Sequence, residues 1–116
     1  MEQIKSRYNP TLTLEYMQRE HENKYFDRKS AGIKPSDLAH HISAFANADG
    51  GTLVIGIADK TRELEGIKAF GEDKVNSLIN APKDCCKPMP DFQEEFIDIT
   101  NSKGEPDQLS QVQICV

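Results

Sequence analysis

Ile42-Ser43-Ala44-Phe45-Ala46-Asn47-Ala48-Asp49-Gly50-Gly51-Thr52-Leu53-Val54-Ile55-Gly56-Ile57 is the stretch whose reading decides the fold. Leu38, Ile42, Phe45 and Ala46 recur at helical spacing and form one apolar face. The pattern stops near Asn47 to Asp49. Gly50 suits a positive-φ helix cap, and Gly51 permits close packing where the next element starts. Thr52 to Ile57 then reads as a strand. Leu53, Val54, Ile55 and Ile57 are apolar on both of its faces, which predicts a central position in a sheet. Gly56 marks a bulge or a close backbone approach.

Working outward toward the N-terminus, Gly32 to Pro35 breaks the chain ahead of that helix. Pro35 suits the first helical turn, and Ser36 or Asp37 is placed to cap or open it. Residues 24–30 read as a strand with Tyr25 or Phe26 facing a core. Residues 1–24 are polar with scattered apolar positions. Leu12, Leu14, Tyr16 and Met17 are placed to dock on the domain, and Glu15 to Lys24 is either helical or an extended lead-in.

Toward the C-terminus, Asp59 to Glu63 reads as a turn and Leu64 to Ile67 as a short strand or ordered turn. Val75, Leu78 and Ile79 form the apolar face of a second helix from Glu72 to Asn80, which Pro82 is expected to end. A loop rich in Pro, Lys and Cys follows over 83–91. Phe92 to Thr100 alternates in part, Asn101 to Pro106 reads as a turn, and Leu109 to Val116 as a strand, which together predict a hairpin. The reading is an α+β fold, a small mixed sheet of about four strands packed against two main helices. The pattern ends inside a strand, so the expectation is an N-terminal fragment of a longer protein, with a 1–21 extension and a domain over 22–116.

The chain has 116 residues, 37% hydrophobic and 28% charged, with a net charge of −5. Bulk charge therefore does not drive polyanion binding, although a local patch can. Residues 1–34 carry seven basic and five acidic groups, whereas residues 72–116 carry four basic and nine acidic. A polyanion is expected to approach the N-terminal third. Cys85, Cys86 and Cys115 make an odd count with no apolar leader, which fits a reducing cytosol, and the adjacent pair lacks zinc-knuckle spacing. The longest apolar stretch, Leu53 to Ala58, cannot span a membrane.

Phe26 to Ser30, Ile42 to Asp59 and Glu65-Gly66-Ile67 together resemble the Schlafen-type AlbA_2 domain, also described as divergent AAA-4 and assigned to DNA binding or transcriptional regulation. The close match covers residues 22–67, and the weaker pattern up to Val116 fits the remainder. The family usually has Glu-Phe-Lys where this chain has Tyr25-Phe26-Asp27-Arg28-Lys29. If Asp27 fills the acidic position, the carboxylate sits on a shorter arm. Bacterial members commonly join the domain to an ATPase-like region or a winged helix, which agrees with the fragment expectation. Some animal relatives cleave RNA with two acidic residues five apart and a third after the central strand. The resemblance maps these onto Glu22, Asp27 and Asp59.

Three functions are carried forward. The leading one is a nucleic-acid-binding domain, with DNA as partner, in a cytoplasmic bacterial regulator. Lys24, Arg28, Lys29 and Lys34 would touch phosphates, with affinity completed by a homodimer or by the C-terminal region. The bland alternative for these cations is a solvated strand edge, with Asp27 blunting them. The second function is a ribonuclease in which Glu22, Asp27 and Asp59 hold Mg²⁺ or Mn²⁺; no cofactor is expected otherwise. The third is an assembly module without catalysis or nucleic acid. Asn47, Asp49, Gly50 and Gly51 are read as a structural motif, since no Walker or Gly-x-Gly-x-x-Gly pattern is present. His40 and His41 diverge by about 100° on a helix and do not chelate one metal together; one is expected to pack against the sheet edge and the other to face solvent.

Overall fold

A computed structural model describes residues 14–19, 22, 25–84 and 91–114. Element order is α1 (Leu14–Arg19), β1 (Phe26–Lys29), α2 (Pro35–Ala46), β2 (Gly51–Ile55), a 3-10 turn (Lys68–Phe70), α3 (Glu72–Asp84), β3 (Phe92–Thr100) and β4 (Pro106–Ile114). The four strands form one sheet in the order β1-β2-β4-β3. β1 pairs with β2 in parallel, and the other two pairings are antiparallel. The fold is therefore α+β with a mixed sheet and two main helices, as the sequence predicts. β2 is an inner strand, because Leu53 and Ile55 bury one face and Val54 the other.

The pleat sorts the side chains into two layers. On one face, Leu53, Ile55, Val112 and Ile114 meet Leu38, Ala39, Ile42 and Phe45 of α2 and Leu78 and Ala81 of α3. On the other, Phe26, Val54, Ile57 and Leu109 surround Met17 of α1, which is fully buried. Tyr16 packs edge-on against Phe26 with ring centroids 5.4 Å apart. Part of the expected N-terminal docking is therefore present as one short helix; Leu12 lies outside the described residues.

Several boundaries differ from the expectation, each for a local reason. α2 starts at Pro35 with Ser36 and Asp37 in its first turn, as expected, but Lys34 stands at the cap position and no side chain caps the helix. The Asp37 carboxylate complements the exposed N–H groups without capping them. β2 ends at Ile55 because Gly56 turns to a φ of 116°. Beyond it, Ile57 makes a single bridge to Leu64. α3 passes through Pro82 to Asp84. A proline near the end of a helix omits one backbone donor while keeping helical φ, and both Ala81 and Pro82 are buried. β4 starts at Pro106, three residues ahead of Leu109. Proline is tolerated as a first strand residue because the ladder does not need its donor there. Cys85, Cys86 and Cys115 lie outside the described residues.

The helix–turn–strand joint works through contact at Gly51. Gly50 adopts a φ of 81°, and its N–H reaches the Phe45 carbonyl at 2.9 Å. A Cβ on Gly51 would lie 3.0 Å from the Tyr25 carbonyl oxygen and overlap the Phe45 ring. Gly51→Ala is therefore expected to cost about 1–2 kcal/mol through displacement of that ring. Chemical denaturation checks this, and an unchanged midpoint would show that the ring yields freely.

Candidate functional site

Parallel strands β1 and β2 end on the same side of the sheet. The chain then enters α2 from one strand and the 56–63 loop from the other. Between these segments lies an open groove of about 540 Å³, lined by Lys29, Ser30, Ile33, Asp37, His40, His41 and Asp59. Ligand sites gather at this kind of place because loops diverge from the carboxyl ends of parallel strands.

Alternation along β1 decides which charged groups reach the groove. Asp27 and Lys29 point to the α2 side, whereas Phe26 and Arg28 point to the opposite face. Lys29 Nζ lies 3.4 Å from Asp59 Oδ2 and 3.8 Å from Asp27 Oδ2. His41 Nδ1 stands 3.7 Å from the same Asp27 oxygen. Ser30 donates its hydroxyl to Glu65 at 2.7 Å and accepts from the Gly32 N–H, which fixes the lip of the groove.

Titration in this cluster is perturbed in two directions. The Glu22 carboxyl is raised by its hydrogen bond to Asp27, then by burial and by the Asp27 charge. The His41 imidazole is lowered, first by burial and then by the Lys29 ammonium. At neutral pH His41 is therefore uncharged, and the fixed cation at the centre is Lys29.

Glu22, Asp27 and Asp59, the three carboxylates that the resemblance singled out, thus come to one place. They gather around an ammonium group. Among the described residues, no group of three or more His, Cys, Asp or Glu is arranged to hold a metal ion. The set does not fit a divalent cation in this arrangement, because Lys29 lies between the oxygens of Asp27 and Asp59 that such an ion would need.

Of the four basic positions read from sequence, Lys29 lines the groove, and Lys34 is exposed at the head of α2. Lys24 lies outside the described residues. Arg28 is 1% exposed. Its Nε donates to the Met17 carbonyl at 2.9 Å, and its guanidinium carbon stands 5.3 Å from the Phe26 ring centroid. It ties α1 to the sheet and is not presented to a phosphate in this structure. Asn47, Asp49, Gly50 and Gly51 lie at the other end of α2, remote from the groove.

Sequence reasoning gave His41 no role in a site, although it singled out one histidine for the sheet edge. His40 is exposed and His41 is half-buried. The usable signal was Asp37 and His41 at i and i+4, which places them on the same side of α2. Among the described residues, no helix is long and apolar enough to cross a membrane. The family model described as "Schlafen, AlbA_2" matches residues 22–115.

Proposed function

The chain belongs to the Schlafen AlbA_2 family, and on that premise we propose that it binds nucleic acid, with DNA as the ligand, in a regulatory protein. Family membership points to a nucleic-acid-related role. The observation that carries the finer reading is the groove at the carboxyl ends of β1 and β2, with Lys29 inside it and Lys34 exposed at the head of the helix that lines it. Both cations contact phosphate oxygens, which positions a backbone without reading bases. Ser30, His40 and His41 supply further polar surface. Two cations in a domain of net charge −5 give weak binding, so a second copy or a further region of the protein completes the affinity.

The test is fluorescence anisotropy with labelled duplex DNA at two salt concentrations. Lys34→Ala is expected to weaken binding about threefold and to lower the salt slope by about one. Binding unchanged in a Lys29→Ala/Lys34→Ala double variant would sink the proposal.

The meeting of Glu22, Asp27 and Asp59 at the groove leaves phosphodiester cleavage as a second reading, one that requires Lys29 to leave the Asp27 and Asp59 oxygens before a divalent cation could use them. Its distinguishing result is cutting of labelled RNA by the wild type and its loss in Asp27→Asn. Intact RNA with the wild type, with and without Mn²⁺, would remove this reading and leave the first in place.

A further inference from the structure

β3 lies at the opposite edge of the sheet from β1 and its groove. Exposed edges offer unpaired backbone groups to any passing strand, and proteins usually blunt them with proline, lysine, a bulge or a short length. β3 has none of these among its residues. It runs nine residues, Phe92-Gln93-Glu94-Glu95-Phe96-Ile97-Asp98-Ile99-Thr100, without Pro, Gly, Lys or Arg. Its register with β4 is unbroken from Phe92↔Ile114 to Thr100↔Pro106, so no bulge turns the edge away. Midway along it, Phe96 is 41% exposed.

The charges on this strand select what can pair with it. Glu94, Phe96 and Asp98 share one face at two-residue spacing, and Glu95 projects from the other. A second copy of the chain would bring three acids against three acids with no base between them in any register, which disfavours self-pairing. A basic strand meets the opposite situation. Glu94 accepts a hydrogen bond from Ser110, and Asp98 accepts one from Gln108, both on β4. These bonds lean the two carboxylates toward β4, so a basic side chain on an added strand would have to reach across the edge to meet them. Burial raises the Glu94 carboxyl, and the hydrogen bond from Ser110 lowers it in part.

We propose that the outer edge of β3, unpaired among the described residues, is a strand-addition site for an extended basic peptide of another protein, with the pattern basic–x–apolar–x–basic set against Glu94, Phe96 and Asp98. Backbone hydrogen bonds give the affinity and the alternating side chains give the specificity. The site is separate from the groove and does not depend on nucleic-acid binding.

A synthetic peptide, Thr-Lys-Thr-Val-Thr-Lys-Thr, is the probe, and the same peptide with Glu in place of Lys is the control. Titration calorimetry and amide hydrogen exchange on the 116-residue chain read the result. Binding of the lysine peptide is expected, with new exchange protection confined to 92–100 and little binding of the control. Phe96→Lys and Asp98→Lys each place a blocking cation on an exposed position and should weaken binding about tenfold. Thermal melting checks that both variants fold. The proposal is overturned by equal binding of the two peptides, by absence of binding, by protection located elsewhere, or by affinity that survives both variants.

Discussion

Replacing Asp107 with alanine is expected to lower stability by about 3–5 kcal/mol, enough to move the melting temperature by about 10 °C or more. Asp107 is 4% exposed, yet it carries a carboxylate. Its Oδ1 accepts from the backbone N–H groups of Ile67, Lys68 and Gln108 at 3.0, 2.8 and 2.7 Å. Its Oδ2 accepts from the Ala69 N–H at 3.3 Å and from the Asn101 amide at 3.0 Å. One side chain thus joins the 65–70 segment, the β3–β4 turn and the start of β4. Alanine removes the acceptor shared by five donors and strands the buried Asn101 amide, while the Ile67 N–H keeps its bond to the Gln108 carbonyl. Asparagine is not a conservative change here. Its amide group would face the Ala69 N–H and the Asn101 amide, donor against donor.

The same carboxylate makes the loss pH-dependent. Burial alone would raise its pKa, but the bonds from Asn101, Gln108, Lys68 and Ile67 outweigh burial and hold it below the ordinary aspartate range. A depressed folded-state pKa gives stability that is fully present above the unfolded value, about 3.9 for aspartate, and is lost as pH falls through the folded one. The gap between wild type and Asp107→Ala should therefore be full near neutral pH and begin to narrow below about pH 4. Urea denaturation at several pH values reads this directly. A gap that stays constant down to the acid limit would show that the carboxylate's charge contributes nothing. Gly66→Ala should destabilise by the same route. Gly66 has a φ of 78°, and an added Cβ would overlap the Asp107 carboxylate.

These residues also show what the sequence made legible. Leu38, Ile42 and Phe45 recur within one helical period, and Leu53 to Ile57 is apolar on both faces. Local pattern alone therefore placed α2 and the inner strand β2. Asp107 had no such signal. Its role exists only because the fold brings Gly66 and Asn101 to it, across 41 and 6 positions of chain. The site was legible by halves. Resemblance pointed to Glu22, Asp27 and Asp59, but their meeting depends on the parallel register Lys29↔Ile55, which carries the loop with Asp59 to the end of β1. No spacing encodes that register. Arg28 was different, because the sequence held the answer. Adjacent residues on a strand face opposite ways, so Arg28 and Lys29 do not share a phosphate-facing surface.

Lys29 then becomes the position where substitution should have opposite effects depending on which partner is changed. Its ammonium lies 3.8 Å from Asp27 and 3.4 Å from Asp59, so under the proposed DNA binding a phosphate would compete with carboxylates already in place. Lys29→Ala removes the cation and leaves the acids, and DNA affinity should fall about tenfold. An Asp27→Asn/Asp59→Asn double variant keeps the cation and neutralises its competitors, and affinity should rise about tenfold. The two variants would then differ by about a hundredfold, or about 2.7 kcal/mol. Acidification should act in the second direction. The raised Glu22 carboxyl takes up its proton at higher pH than an ordinary glutamate, and the lowered His41 gains its charge at lower pH than an ordinary histidine. Both events make the groove more positive, so affinity under the proposed DNA binding should climb as pH falls below neutral, with the His41 share lost in His41→Ala. Anisotropy titrations across pH at fixed ionic strength measure both effects. Nucleic-acid binding that weakens in the double asparagine variant would mean that the carboxylates hold Lys29 in its working position and do not mask it.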